Sequence, residues 1–194
     1  MGVRSLGNAL STFRNKFGRT GTEASDPPGS SSISATGGNQ TSPSGFTAPN
    51  GFKYHVFTSS GSLVVASGTA EAYYLVVAGG GSGGYGNGAG AGGGGLRSND
   101  PTVPGPSNMK VTHTFTLSPG TYPVTVGDGG TAPADSGSES KIGTSTVVAS
   151  GGGYGGSNGT GEPGGSGGGG TPPSAASSVN SPDPLSPDKQ GHAG

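Results

Sequence analysis

Two stretches decide what this chain can fold into. "LVVAGGGSGGYGNG" (75–88) and "TVVASGGGYGGSNG" (146–159) follow one plan: an aliphatic strand ends at Ala, three glycines follow, and a tyrosine sits among more glycines. Both run on as long glycine tracts. No helix can form there, because each glycine costs a helix interior roughly 1 kcal/mol relative to alanine and leaves no side chain to pack. From the residues alone the tracts are either flexible linkers or backbones lying side by side. Without Cβ atoms, glycine chains can approach closely and pair N–H with C=O between polyproline II strands, as in collagen. We expect ordered tracts leaving the same end of the fold. Alanine at Gly80, Gly93, Gly152 or Gly168 is then expected to push paired backbones apart.

The first stretch also contains G-x-G-x-x-G (Gly79, Gly81, Gly84) directly after an apolar strand. A dinucleotide turn of that form needs a helix whose N-terminus faces the pyrophosphate. "GNGAGAGGGG" cannot supply one, and Asp100, at the place of a ribose-binding acid, precedes Pro101 in "LRSNDPTVPGP", which reads as a loop rather than a second strand. In a chain with 45 glycines such matches arise by chance. The nucleotide reading is therefore set aside, and no cofactor is expected.

Strand signals surround the tracts. "FKYHVFTS" (52–59), "SLVVAS" (62–67), "AYYLVVA" (72–78), "VTHTFTLS" (111–118), "YPVTV" (122–126) and "STVVAS" (145–150) are rich in β-branched and aromatic residues. "SPGTY" (118–122) places Pro and Gly as a type II turn wants them. These features predict an all-β fold, a small β-sandwich over 46–170 with glycine-rich, polyproline II-like tracts at one end.

The flanks differ. Within residues 1–24, Val3, Leu6, Leu10, Phe13 and Phe17 recur at steps of three and four, one stripe of a short amphipathic helix. Residues 25–45 are Pro, Gly and Ser-rich and are expected to be a linker, and 171–194 form a Pro/Ser-rich tail. An isolated helix this short is marginal in water, so the stripe needs something to bind: the chain's own domain, another protein or a membrane. Only 27% of residues are hydrophobic and 10% charged, too few to bury a conventional core along the whole length. There is no Cys, and the formal net charge of -1 offers no general attraction to nucleic acid or anionic membranes. No apolar run reaches transmembrane length, and the N-terminus shows no apolar secretory core.

Catalytic and metal chemistry find no pattern here. His55, His113 and His192 have no carboxylate or Ser at motif spacing, and Asp128 in "VGDGG" reads as a turn residue rather than a calcium ligand. Glu71, Asp135, Glu139 and Glu162 are dispersed, which gives no carboxylate pair. Asn39-Gln40-Thr41 and Asn158-Gly159-Thr160 match the glycosylation sequon, as Ser/Thr-rich chains do by chance. No enzymatic activity and no metal are expected.

The series "FTSSGSLVVASGTAEAYYLVVAGGGSGGYG" and "TFTLSPGTYPVTVGDGGTAPADSGSESKIGTSTVVASGGGYGGSNG", within 52–170, resembles the glycine-rich domain of phage tail-fibre and related virion proteins. "VRSLGN" and "KFGRTG" resemble the start of marine cyanophage structural proteins. The resemblance implies a virion component, commonly oligomeric, that displays a β-sandwich with glycine-tract tips toward a host surface. The short tracts and long tail fit a small fibre or decoration subunit. On that reading Leu6, Leu10, Phe13 and Phe17 dock the chain to capsid, portal or tail subunits. Tyr85 and Tyr154, which follow equivalent strands, project from one end as the candidate contact for a host-surface glycan or protein. A homo-oligomer is expected, without nucleic-acid binding or membrane insertion. The alternative is a non-viral extracellular or cell-wall glycine-rich structural protein.

Overall fold

Alternation of buried and exposed side chains builds the main sheet. In Gly61–Ser67, Leu63 and Val65 point inward while Ser62, Val64 and Ala66 stay exposed, the period of a strand with one covered face. The computed structural model describes residues 33–38, 46–47, 53–86, 88–100, 114–131, 133–144 and 147–171. Eleven strands lie among them: β1 Ser34–Thr36, β2 Phe46–Thr47, β3 Lys53–Tyr54, β4 Gly61–Ser67, β5 Ala70–Ala72, β6 Leu75–Val77, β7 Leu96–Ser98, β8 Phe115–Leu117, β9 Gly120–Thr125, β10 Ser140–Ile142 and β11 Val147–Ala149. No helix occurs among the described residues, and every strand pairing is antiparallel. The fold is all-β. The 1–24 segment with Leu6, Leu10, Phe13 and Phe17, the tail beyond Thr171, His113 and His192 lie outside the described residues.

The five-stranded sheet has the order β1-β4-β9-β10-β11, and the ribbons β5-β8 and β6-β7 lie against it. One apolar cluster joins the two layers. Ala35, Leu63, Val65, Val124, Val147 and Ala149 come from the sheet, and Tyr74, Val76, Ala78, Phe115 and Leu117 from the ribbon side. Tyr74 meets Phe115 edge-on at 5.5 Å between ring centres, and Phe115 meets Tyr122 at 6.5 Å. Such edge-to-face pairs add about 0.5–1.5 kcal/mol beyond their area burial.

Several details differ from the sequence reading. Of the strand expected over 52–59 only Lys53–Tyr54 pair as a strand among the described residues, and Ser140–Ile142, where none was expected, form β10 between β9 and β11. Ser34–Thr36, in the stretch read as linker, form edge strand β1 on β4, with Ala35 buried in the core. The single strand expected over 72–78 is divided into β5 and β6, because side chains capture the backbone between them. Asn99 Nδ2 donates to the Ala72 carbonyl (2.9 Å), the Tyr74 N–H donates to Asn99 Oδ1 (2.8 Å), and Ser98 Oγ donates to the Tyr74 carbonyl (2.9 Å). "LRSNDP" is not all loop: Leu96–Ser98 pair with β6, Arg97 opposite Val76 and fully buried. Three residues are too short to display a period, so this strand left no signal. Finally, Gly120 has φ 158° and opens β9 opposite Val65, far from the φ near +80° of a type II turn. The Tyr122 hydroxyl replaces the turn's own bond, accepting from the Ser118 N–H (2.9 Å) and donating to the Ser118 carbonyl (3.0 Å).

Beyond β6 and β11 the glycine tracts form a bundle. Ala78, Gly81 and Gly84 of the first tract (78–84) donate to the carbonyls of Gly95, Gly92 and Ala89 in the second (89–95). Ala89, Gly92 and Gly95 in turn donate to Gly156, Gly153 and Ser150 of the third (150–156). Donors step by three, the repeat of a polyproline II helix. Gly152 and Gly155 of the third tract reach the carbonyls of Gly79 and Ser82, so it runs parallel to the first; the two stretches with a shared plan do leave the same end side by side. A fourth tract (159–165) comes back along the third through Glu162 N–H to Tyr154 and Gly165 N–H to Gly151. A fifth (165–171) accepts from Gly153 and Gly156 at Ser166 and Gly169, and donates from those same two residues to Gly93 and Gly90. The third tract thus touches all the others and carries the buried glycines 152, 153, 155 and 156.

The spacing allows side chains at some glycines and forbids them at others. A Cβ on Gly152 would strike the Gly92 carbonyl oxygen, and one on Gly168 the Tyr154 carbonyl oxygen, both rigid backbone. A Cβ on Gly80 would find nothing closer than the Gly92 oxygen at 3.6 Å, ordinary contact, and one on Gly93 nothing within 4 Å. Gly80 and Gly93, expected to be intolerant, therefore have room for a methyl group, in ordinary contact at Gly80 and in open space at the exposed Gly93. Gly152→Ala and Gly168→Ala should each cost about 1–3 kcal/mol or more through overpacking. Gly93→Ala should shift stability by less than about 1 kcal/mol, since it relieves only unfolded-state entropy. Chemical denaturation of these three single variants measures this; equal stability of all three would contradict paired tracts.

Candidate functional site

At the far end of the bundle, opposite the sandwich, two of its turns and the end of the fifth tract meet. The first and second tracts are joined by a turn that the Gly84 N–H to Ala89 carbonyl bond (3.0 Å) closes, with Gly86 at φ 63° making the reversal. Tyr85 sits on this turn, 74% exposed, the most exposed of the large apolar side chains described. Its backbone N–H donates to Ser157 Oγ (2.8 Å), which ties the first turn to the one joining the third and fourth tracts. The fifth tract ends here too. The Thr171 N–H (2.9 Å) and Oγ1 (3.3 Å) both donate to the Gly159 carbonyl, so the Pro/Ser-rich tail starts from the same end as Tyr85.

Tyr154 stands differently. It precedes Ser157 by one polyproline II turn, about 9 Å along the tract, and so lies on the flank of the bundle below the tip. It is half-buried, and its hydroxyl donates to Glu162 Oε1 (3.0 Å). The two tyrosines follow equivalent strands, but the structure gives them unequal roles: Tyr85 is a free-standing ring on an anchored turn, Tyr154 a clasp between the third and fourth tracts. The sequence does not single out Ser157 and Thr171, which hold this end together, and shows Glu162 only as a dispersed carboxylate. Their partners are backbone groups and a tyrosine 8 residues away, and no spacing motif records such pairings.

The amides of the G-x-G-x-x-G stretch are already engaged. Gly79 donates to the Ser138 carbonyl, Gly81 to Gly92 and Gly84 to Ala89, so these three N–H groups face neighbouring backbone and form no phosphate cradle. Asp128 and Asp135 belong to a loop that flanks the first tract, through Ser138 N–H to the Asp128 carbonyl and Ser82 N–H to the Asp135 carbonyl. His55 Nδ1 donates to the Gly37 carbonyl at 2.9 Å. Among the described residues no group of three or more His, Asp or Glu side chains comes together as metal ligands.

The hydrogen bond to the Glu162 carboxylate raises the Tyr154 pKa above its ordinary value, with desolvation and the carboxylate charge acting in the same direction. The neutral phenol is the form that is held. Its contribution to stability is complete below the ordinary tyrosine pKa and is lost as pH rises through the raised value. Glu162→Ala should bring the Tyr154 titration back toward about 10. The check is the phenolate absorbance difference between each protein and its Tyr154→Phe counterpart. An unmoved titration would show that the carboxylate does not hold the hydroxyl in solution.

No curated protein matches the chain, and no solved structure does. The sequence profile of the glycine-rich domain matches residues 57–194, a span that takes in β4 to β11, all five tracts and the tip. Over most of its length, therefore, the chain belongs to the glycine-rich domain family.

Proposed function

We propose that this chain is a phage virion structural protein, a fibre-like or decoration subunit that displays its glycine-rich β domain for attachment to a host surface. The observation that carries the reading is the tip: an exposed tyrosine, Tyr85, on a turn pinned by Ser157 at the end of a bundle whose backbones are bonded on several sides. A tyrosine on an anchored backbone has only two side-chain torsions to lose on contact and offers both a large face and a hydroxyl. The chemistry suits a glycan or a protein surface. The resemblance of residues 52–170 to the glycine-rich domain of tail-fibre proteins supports the same role.

Residues 1–24 supply the anchor in this proposal. Leu6, Leu10, Phe13 and Phe17 enter a groove of a capsid, portal or tail subunit, each contributing about 1.5–3 kcal/mol when fully buried. Tyr73, Leu75 and Val77, which alternate along one exposed face leading into and along β6, support self-association of the displayed domain.

Two experiments test the proposal at its two ends. Deleting residues 1–24 should leave a folded body that is missing from purified particles; normal incorporation would refute the anchor. Tyr85→Ser, with folding verified by circular dichroism, should lower particle adsorption by about tenfold or more, the loss of one interface anchor. Tyr154→Ser should act more weakly, and through stability. Unchanged adsorption with Tyr85→Ser would place the contact surface elsewhere.

A further inference from the structure

We propose that Asn158, at the tip, is a site of spontaneous covalent conversion: the backbone nitrogen of Gly159 attacks its side-chain amide, and the residue becomes aspartate or isoaspartate. Residues 157–159 form the bend between the third and fourth tracts, and Asn158 is exposed. Its amide makes no hydrogen bond among the described residues, and the Gly159 N–H donates to no carbonyl among them. Gly159 carries no side chain to hinder its own nitrogen, and a Cβ built on it meets nothing within 4 Å, so the space beside the attacking residue is open.

Asn99 provides the contrast within the same molecule. Its Oδ1 accepts from the Tyr74 N–H (2.8 Å) and its Nδ2 donates to the Ala72 carbonyl (2.9 Å), so the amide cannot swing toward the chain. The following nitrogen is occupied as well, because the Asp100 N–H donates to Ser98 Oγ (3.1 Å). One asparagine is locked at both reacting atoms and the other at neither.

The step balances without any oxidant or cofactor. A base removes the Gly159 amide proton, the nitrogen forms a bond to Asn158 Cγ, and the Cγ–Nδ2 bond breaks with release of ammonia. Water then opens the resulting five-membered imide at either carbonyl. Net, one water replaces one ammonia. Both products add a negative charge, and isoaspartate also lengthens the main chain between Ser157 and Gly159. Those two residues hold the Tyr85 N–H and the end of the fifth tract, so conversion loosens the tip as the protein ages.

The full-length protein is incubated in mildly alkaline buffer, digested with trypsin and mapped by mass spectrometry, with isoaspartate detected by enzymatic methylation. The peptide 142–189 should convert with time at Asn158, located by fragmentation, while Asn99 in peptide 98–110 stays amidated over the same period. Gly159→Ala, whose methyl enters open space, should slow conversion severalfold in a protein that still folds. Either of two results would overturn the proposal: Asn158 intact in the folded protein while it converts in the excised peptide, or conversion at an equal rate in Gly159→Ala.

Discussion

The close approach of bare backbones is the constraint on which the rest of this structure depends. In the third glycine tract, Gly152, Gly153, Gly155 and Gly156 send their N–H groups to carbonyls of the first and fifth tracts and accept from the second through Gly153 and Gly156. Four other tracts surround this segment, and the room between them is less than a methyl group requires: Cβ atoms on Gly152, Gly153 and Gly155 would each strike a carbonyl oxygen. Glycine is therefore a packing requirement here. The bundle is a core made of peptide groups, with hydrogen bonds in the place that apolar contact holds elsewhere.

Such a core cannot stand alone. A backbone hydrogen bond contributes about 0.5–1.5 kcal/mol net, while ordering a residue costs about 1–2 kcal/mol, and glycine loses the most freedom of any residue. The bundle gains its order from the sandwich that starts it. Ala149, which ends β11, and Ala78, which directly follows β6, are both buried where the third and first tracts begin. Bonds from Ala78 to Gly95 and from Gly95 to Ser150 bring three chains into register at that junction. The apolar cluster around Tyr74, Phe115, Val147 and Ala149 thus sets the start of a polar structure that carries the tip outward.

The parts legible in the sequence are those with a period or a composition. β4 and β9 lie within or next to predicted strands because their side chains alternate or are β-branched, and the tracts could be recognised as paired because one plan occurs twice. Strands of two or three residues, such as β1, β2, β7 and β10, lack the length to show a pattern. Their places are set by partners: β1 by the open edge of β4, and β7 by β6, with Asn99 and Ser98 taking backbone groups that a longer strand would have satisfied. At the tip, the sequence marks Tyr85 and Tyr154 alike as lone large side chains among glycines. What separates them is the turn between 84 and 89 and the Glu162 carboxylate, both consequences of how the tracts fold back.

Amide hydrogen exchange resolved by residue tests the central claim most directly, because the tracts have no regular sheet or helix to protect them. The structure predicts protection every third residue in the second tract, slow at Ala89, Gly92 and Gly95 and fast at Gly90, Ala91, Gly93 and Gly94. In the third tract, Gly152, Gly153, Gly155 and Gly156 should all exchange slowly, approaching the amides of β4 and β9. Fast exchange throughout both tracts, with protection confined to the strands, would contradict a hydrogen-bonded glycine core.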